Sequence, residues 1–274
     1  MRRFWRRRRA PRTRETWLIW AARFGYAACG TVYAIIGLVA IAAALGLSRR
    51  PAGSHGVLHF FADLPFGPLA LAGLGVGLAG YAALNFSGAL RDPERRGLDA
   101  WGLIERGIDI LTGALYMAFA ITALAMIVDP QHRLGATAAA SLKRILEMRS
   151  GSVIMIAIGI ALVMSGGYLF YRAAREPFGE MLDRRSLSSV ARRAIALAAR
   201  AGTAARGAIF IICGMTAIRA AKGSELGEVV DVGDALSTLG DVPFGPLLLA
   251  IVGAGFVAYG GYQLAKARYQ RIAA

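Results

Sequence analysis

Six stretches of this sequence, 24–47, 66–90, 107–128, 152–170, 201–221 and 244–265, are apolar over the length a helix needs to cross a bilayer. About 20 residues cover the hydrocarbon core, and in lipid only a helix of that length satisfies its own backbone. The 56% apolar composition agrees, and a soluble globule is excluded. The spans come in pairs that echo one another. Arg23, Gly30 and Tyr33 recur as Arg200, Gly207 and Phe210, and more faintly as Arg106, Gly113 and Tyr116. Asp63-Leu64-Pro65-Phe66-Gly67-Pro68 opens the second span and Asp241-Val242-Pro243-Phe244-Gly245-Pro246 the sixth. Proline is tolerated in a first helical turn, where its missing N–H had no partner, so the two motifs mark equivalent helix starts.

The fold class expected is an all-α integral membrane protein, with six transmembrane helices as three tandem pseudo-equivalent hairpins. Its parts are a basic arm with interfacial aromatics (1–21), a first hairpin (22–90), a linker with the second hairpin (91–174), a second linker (175–198), and a third hairpin with a short basic tail (199–274). Short amphipathic helices should dress the outer surface, on Val57, Phe60, Phe61 and Leu64, on Leu142, Ile145 and Leu146, and on Val232, Ala235, Leu236 and Leu239.

A net charge of +15 raises nucleic acid as a partner, but where the charges fall argues otherwise. Of the 32 Lys and Arg residues, 23 lie in the arm, the second and fourth connections and the tail, against 8 in the other connections. That asymmetry predicts a bacterial inner-membrane protein with both termini in the cytoplasm. The arginines of the arm should be drawn to anionic lipid headgroups, with Trp17 and Trp20 at interfacial depth. Cys29 and Cys213 lie at different heights in their helices and are expected as free, buried thiols.

Glycines carry the helix packing: Gly25, Gly30, Gly73, Gly77, Gly113, Gly207, Gly253 and Gly255 are the candidates for close approach. Gly75, Gly77 and Gly80 match a dinucleotide fingerprint in letters only, because that motif needs a strand before it and here lies inside a span. Tyr81, Tyr168 and Tyr259 sit at matching points in the second helix of each pair and read as belt or core residues.

The pattern Ala-Arg-x-Gly-x-Ala-Ala at a span's start, a glycine then an aromatic further in, and Pro-Phe-Gly at the next span resembles the bacterial domain of unknown function 1206 family. The resemblance runs over about 22–267, strongest in the outer pairs. It implies three repeats of two membrane helices and no established activity. It also implies a second arginine just before the later glycine, as at Arg206, where Cys29 and Thr112 stand in the other two copies.

The polar candidates inside the membrane are few. Arg23, Arg106 and Arg200 could ring the cytoplasmic mouth or act as interfacial anchors. Arg206 lies nearly two turns deeper, where an unpaired charge costs about 2.5 kcal/mol or more, and Asp109 is the nearest opposite charge at similar depth. A pair of Arg206 with Asp109, or of Asp109 with Arg106, is expected. His55, His59 and Asp63 share a helix face, but too few ligands accompany them for a metal site. Without H-E-x-x-H, G-x-S-x-G or a P-loop, the chain reads as no enzyme, with no cofactor and no metal. The leading expectation is a membrane scaffold or modulator of an unidentified protein partner; the rival is a small-solute or ion transporter.

Overall fold

The computed structural model describes residues 13–48, 53–91, 100–129, 150–176, 178, 188–222 and 232–269. Eight helices are described, and no strand appears among those residues. They are α1 (Thr13–Ala44), α2 (Ser54–Ala62), α3 (Gly67–Arg91), α4 (Ala100–Val128), α5 (Gly151–Arg175), α6 (Ser189–Ala221), α7 (Val232–Gly240) and α8 (Gly245–Tyr269). Six of them, all but α2 and α7, are long and apolar enough to cross a membrane. The chain is a multi-pass, all-helical membrane protein. The arm 1–12, the stripe on Leu142, Ile145 and Leu146, and most of both linkers lie outside the described residues, as do the side chains of Trp17 and His55.

Separate hairpins are not how the helices pack. α1 touches α3 and α6 touches α8, as hairpin partners do, yet the three most extensive seams join different sequence pairs: α1 to α8, α6 to α5, and α3 to α4. The helices therefore neighbour one another in the order α4, α3, α1, α8, α6, α5. The middle pair, α4 and α5, makes no comparable seam among the described residues. There the Tyr168 hydroxyl on α5 donates to the Glu105 carboxylate on α4, joining the two ends of the row.

Glycines explain the closest seams, because helices in lipid attract one another by close packing rather than by escaping water. Gly30 and Gly37 of α1 meet Gly260 and Gly253 of α8; a Cβ on Gly260 would stand 2.6 Å from the Gly30 carbonyl oxygen. Gly207 and Gly214 of α6 meet Gly166 and Gly159 of α5 in the same manner, with 2.6 Å from a Cβ on Gly166 to the Gly207 oxygen. In each helix the two glycines are seven apart, which is two turns and one face. Seven of the eight glycines picked from the sequence lie at such contacts; Gly73 meets only the Phe24 ring at an ordinary 3.9 Å. Close packing by Gly73 and Gly77 as a pair is thus not observed. Gly77 alone packs tightly, against Ala28.

The short helices are not laid on the surface. Val57 and Leu58 of α2 and Ala235 and Leu236 of α7 are fully buried and belong to the same core as Ile36, Leu71, Met126 and Phe256. Phe60, expected in the α2 stripe, is instead exposed. The two helices also touch each other and close the face of the bundle opposite the termini. The Pro-Phe-Gly motifs permit this turn-back. Any Cβ on Gly67 would collide with the Ala62 carbonyl, and one on Gly245 with that of Gly240, so only glycine lets the end of each short helix approach the next long one. Phe244 beside it is held at φ 64°, a left-handed conformation that a bulky residue adopts only under tertiary constraint.

Replacing Gly260 with leucine should lower the unfolding midpoint in detergent by the equivalent of about 3 kcal/mol, the upper range for overpacking. Gly261→Ala is the matched control, because nothing lies within 4 Å of a Cβ there. Equal losses from both changes would mean that the α1–α8 seam is not the constraint described.

Candidate functional site

Seven polar side chains from five helices meet on the terminal side of the bundle's middle. Gly30 and Gly260 bring α1 and α8 backbone to backbone, and the residues beside this contact, Cys29 and Tyr33 on α1 and Tyr259 and Gln263 on α8, are pressed together. Gly207 does the same for α6 against α5, which fixes Arg206 one residue away. α3 adds Tyr81 and α4 adds Tyr116. Counted from the α8 C-terminus, Tyr259 lies about 15 Å below the terminal face.

The centre is Arg206. Its Nη1 donates to the Tyr259 hydroxyl at 2.7 Å, and its guanidinium carbon lies 5.0 Å from the Tyr259 ring centre and 5.7 Å from those of Tyr33 and Phe210. Gln263 Nε2 donates to Tyr259 and to Tyr81, both at 3.0 Å, and lies 3.6 Å from the Cys29 sulfur. Cys29 Sγ donates to the Tyr116 hydroxyl at 3.4 Å, which donates to Tyr33 at 3.0 Å. Rings stack edge to face between Tyr33 and Tyr259 and between Tyr81 and Tyr116, 4.8 and 4.7 Å apart. Arg206 is 8% exposed and Gln263 1%.

An arginine at this depth costs about 2.5–3.5 kcal/mol relative to water. One hydrogen bond from a charged donor returns about 1.5–3 kcal/mol, and each aromatic face about 0.5–1 kcal/mol, so the arrangement is near balance without a carboxylate. Within the network the Nε of Arg206 and the Oε1 of Gln263 have no hydrogen-bond partner, a state the Nε of Arg23 shares outside it. Orphaned polar atoms at such burial are uncommon.

The other sequence candidates fall elsewhere. Asp109, expected beside Arg206 or Arg106, faces the α3–α4 seam, its Oδ2 3.3 Å from where Gly88 would carry a Cβ. The phenol of Tyr259 takes the guanidinium instead. Arg106 stays half-buried on α4. Arg23 is half-buried, its guanidinium 5.7 Å from the Trp20 ring, and Arg200 is exposed on α6. Cys29 and Cys213 form no disulfide, and Cys29 is buried where Cys213 is half-buried. Tyr81 and Tyr259 belong to the network and Tyr168 does not. Tyr33, Tyr116 and Gln263 went unnoticed as polar groups. The aromatic three residues after each repeated glycine, and a glutamine inside an apolar span one turn beyond a tyrosine, were the available signals.

Toward the terminal face a second set of charges follows. Lys266, one turn from Gln263, places Nζ 4.2 Å from the Tyr26 ring centre and 5.6 Å from that of Tyr262. Arg172 grips Glu176 with two nitrogens, one at 2.7 Å. Phe178 stacks on Tyr262 at 5.8 Å.

Tyr259→Phe removes the acceptor shared by Arg206 and Gln263 and should cost about 1–3 kcal/mol of stability. Tyr262→Phe on the same helix should cost under about 0.5 kcal/mol. In a double-mutant cycle, Tyr259→Phe and Gln263→Leu should couple by about 0.5 kcal/mol or more; strict additivity would mean that the network is not cooperative.

The comparisons with known proteins agree with this picture of a membrane chain built around the first and last helix pairs. The family described as Domain of Unknown Function (DUF1206) matches residues 24–92 and again 201–270, which include Cys29, Tyr33, Tyr81, Arg206, Tyr259 and Gln263. A Bacillus subtilis (strain 168) protein, printed as "Uncharacterized protein YxxB", is 27% identical over 258 residues, covering 94% of this chain and 93% of that one. No solved structure matches. Two matched regions, together half of the sequence, place the chain in the family its repeated motifs resemble: it belongs to the Domain of Unknown Function (DUF1206) family.

Proposed function

We propose that this protein is a non-enzymatic carrier of the bacterial cytoplasmic membrane, with both termini in the cytoplasm, that binds a small anionic solute at Arg206 and passes it between the two faces. One observation carries the reading: a permanently charged guanidinium is buried in the apolar part of the bundle, held by phenols rather than a carboxylate, with a donor to spare. Positive charge that no carboxylate among the described residues contacts is a binding site for a negative one.

The surroundings support entry from the terminal face. The excess of Lys and Arg on that side would concentrate anions, and Lys266 stands one turn from Gln263 on the way in. On the opposite side Leu58, Leu236, Leu71 and Phe256 form an apolar barrier between the network and the far face. Passage requires α2 and α7, which close the far face, to shift. The scaffold reading drew on a shortage of buried polar chemistry, and a seven-residue network weakens that basis. The arginine-rich arm is then a tether to anionic lipid, with no role for nucleic acid.

Liposomes carrying the purified protein should take up small anions under an outward-negative potential, and Arg206→Gln should reduce the flux at least about tenfold while the protein still elutes as a folded species. The loss of one charge-assisted contact supports that magnitude. If no anion moves with the wild type, and Arg206→Gln only lowers the melting midpoint, the guanidinium is structural and the carrier reading fails.

A further inference from the structure

We infer that Lys266 is a second anion-binding station, one level above Arg206, where a small, singly charged anion is first held on its way in from the terminal face. This rests on the carrier reading and adds a step to it. Lys266 Nζ lies 4.2 Å from the Tyr26 ring centre and 5.6 Å from that of Tyr262. Ring faces hold an ammonium without neutralising it, and among the described residues no carboxylate or other acceptor bonds to Lys266. Arg172, on the same side of the bundle, shows the alternative, since it grips Glu176 with two nitrogens. Lys266 is left as Arg206 is, a cation on tyrosine faces with its charge unbalanced.

A lysine near the end of a membrane helix ordinarily snorkels along lipid to the headgroups. The placement of Lys266 argues against that role. It follows Tyr259, Tyr262 and Gln263 by seven, four and three residues, so all four share one face of α8, and the other three are buried. The opposite side of the same turns carries Gly261, Leu264 and Arg268, all exposed. Lys266 is half-buried, so it faces inward while part of it stays open. Its level is joined to that of Arg206: Tyr26 packs edge-on to Tyr81 at 5.6 Å, and Tyr262 lies 6.1 Å from Tyr259. Seven residues of α8 separate Tyr259 from Lys266, about 10 Å along the axis. An anion leaves a deep cation readily when a second one waits a short step away, which is how multi-site paths keep binding from stopping passage. Each station offers one positive charge, so one negative charge balances either.

The test is the concentration dependence of chloride, nitrate and acetate flux into liposomes carrying the full chain, at constant ionic strength. Lys266→Met should raise the half-saturating concentration of the anions carried about tenfold, the value of one charge-assisted contact, with a smaller fall in the maximal rate. Lys266→Arg, which keeps the charge, should recover most of that loss. Arg268→Met removes the same charge from the exposed side of the helix and should leave half-saturation as in the wild type. If Lys266→Met does not fold, Lys266→Gln, which keeps a polar end, is read in the same way. Unaltered half-saturation in a folded Lys266 variant, or an equal rise from Arg268→Met, would overturn the inference and leave the carrier reading standing. No flux of any of the three anions by a folded wild type would overturn both.

Discussion

Close contact of helix backbones through glycine is the constraint from which the remaining structure follows. In lipid a leucine face gains nothing by turning from hydrocarbon to another helix, so what binds helices is the fit of their surfaces and the polar contacts that fit permits. Gly30, Gly37, Gly253 and Gly260 let α1 and α8 touch along two full turns, and Gly159, Gly166, Gly207 and Gly214 do the same for α5 and α6. These contacts set the positions of everything larger. Cys29 and Arg206 each precede a seam glycine, and Tyr259 and Gln263 flank one, so polar groups far apart in sequence are brought within hydrogen-bond reach. The first helix packing on the last also explains why the network needs the whole chain: remove either end and its centre loses a wall.

The polar cluster inverts the usual logic of a membrane core. Buried hydroxyls and amides are normally satisfied locally, as Thr31, Thr122, Ser165 and Asn85 are here by the carbonyl four residues back. Tyr33, Tyr81, Tyr116 and Tyr259 reach across helices instead, and they do so around a cation. Phenols suit that task, since each ring offers its face to the guanidinium and its hydroxyl to a neighbour. Arrangement in two layers, phenols toward the terminal face and aliphatic side chains toward α2 and α7, gives the bundle a polar end and a sealed end.

The six spans were legible because twenty apolar residues in a row admit one backbone solution, and no tertiary detail alters it. The short helices were legible as helices from their spacing; whether Val57 and Leu236 would point into lipid or into protein was not, because both environments reward the same residues. Of the seam glycines Gly30, Gly207 and Gly253 were picked from the sequence, whereas Gly37, Gly159, Gly166, Gly214 and Gly260, the spacing of seven and the partners were not. Gly30 is 230 positions from Gly260, and nothing in either segment names the other. Arg206 stood out by depth alone. Its partner was sought among carboxylates because Coulomb attraction is the obvious remedy for a buried charge, and the remedy present is a phenol with three aromatic faces.

The unequal residues at one repeated position make the same point about charge. Cys29, Thr112 and Arg206 occupy corresponding places in the three helix pairs. Cys29 and Arg206 are linked through two side chains, Gln263 and Tyr259, so an arginine at both positions would place two cations in one small apolar volume. Like charges there repel by several kcal/mol unless a counter-ion sits between them. With a thiol at position 29 the site carries one positive charge, and Cys29 donates its S–H to the Tyr116 hydroxyl. A second arginine at that position would raise the positive charge of the network from one to two. The side chain at this single position therefore sets the charge the bundle's core must carry, while the glycine seams of α1 with α8 and α5 with α6 rest on other residues.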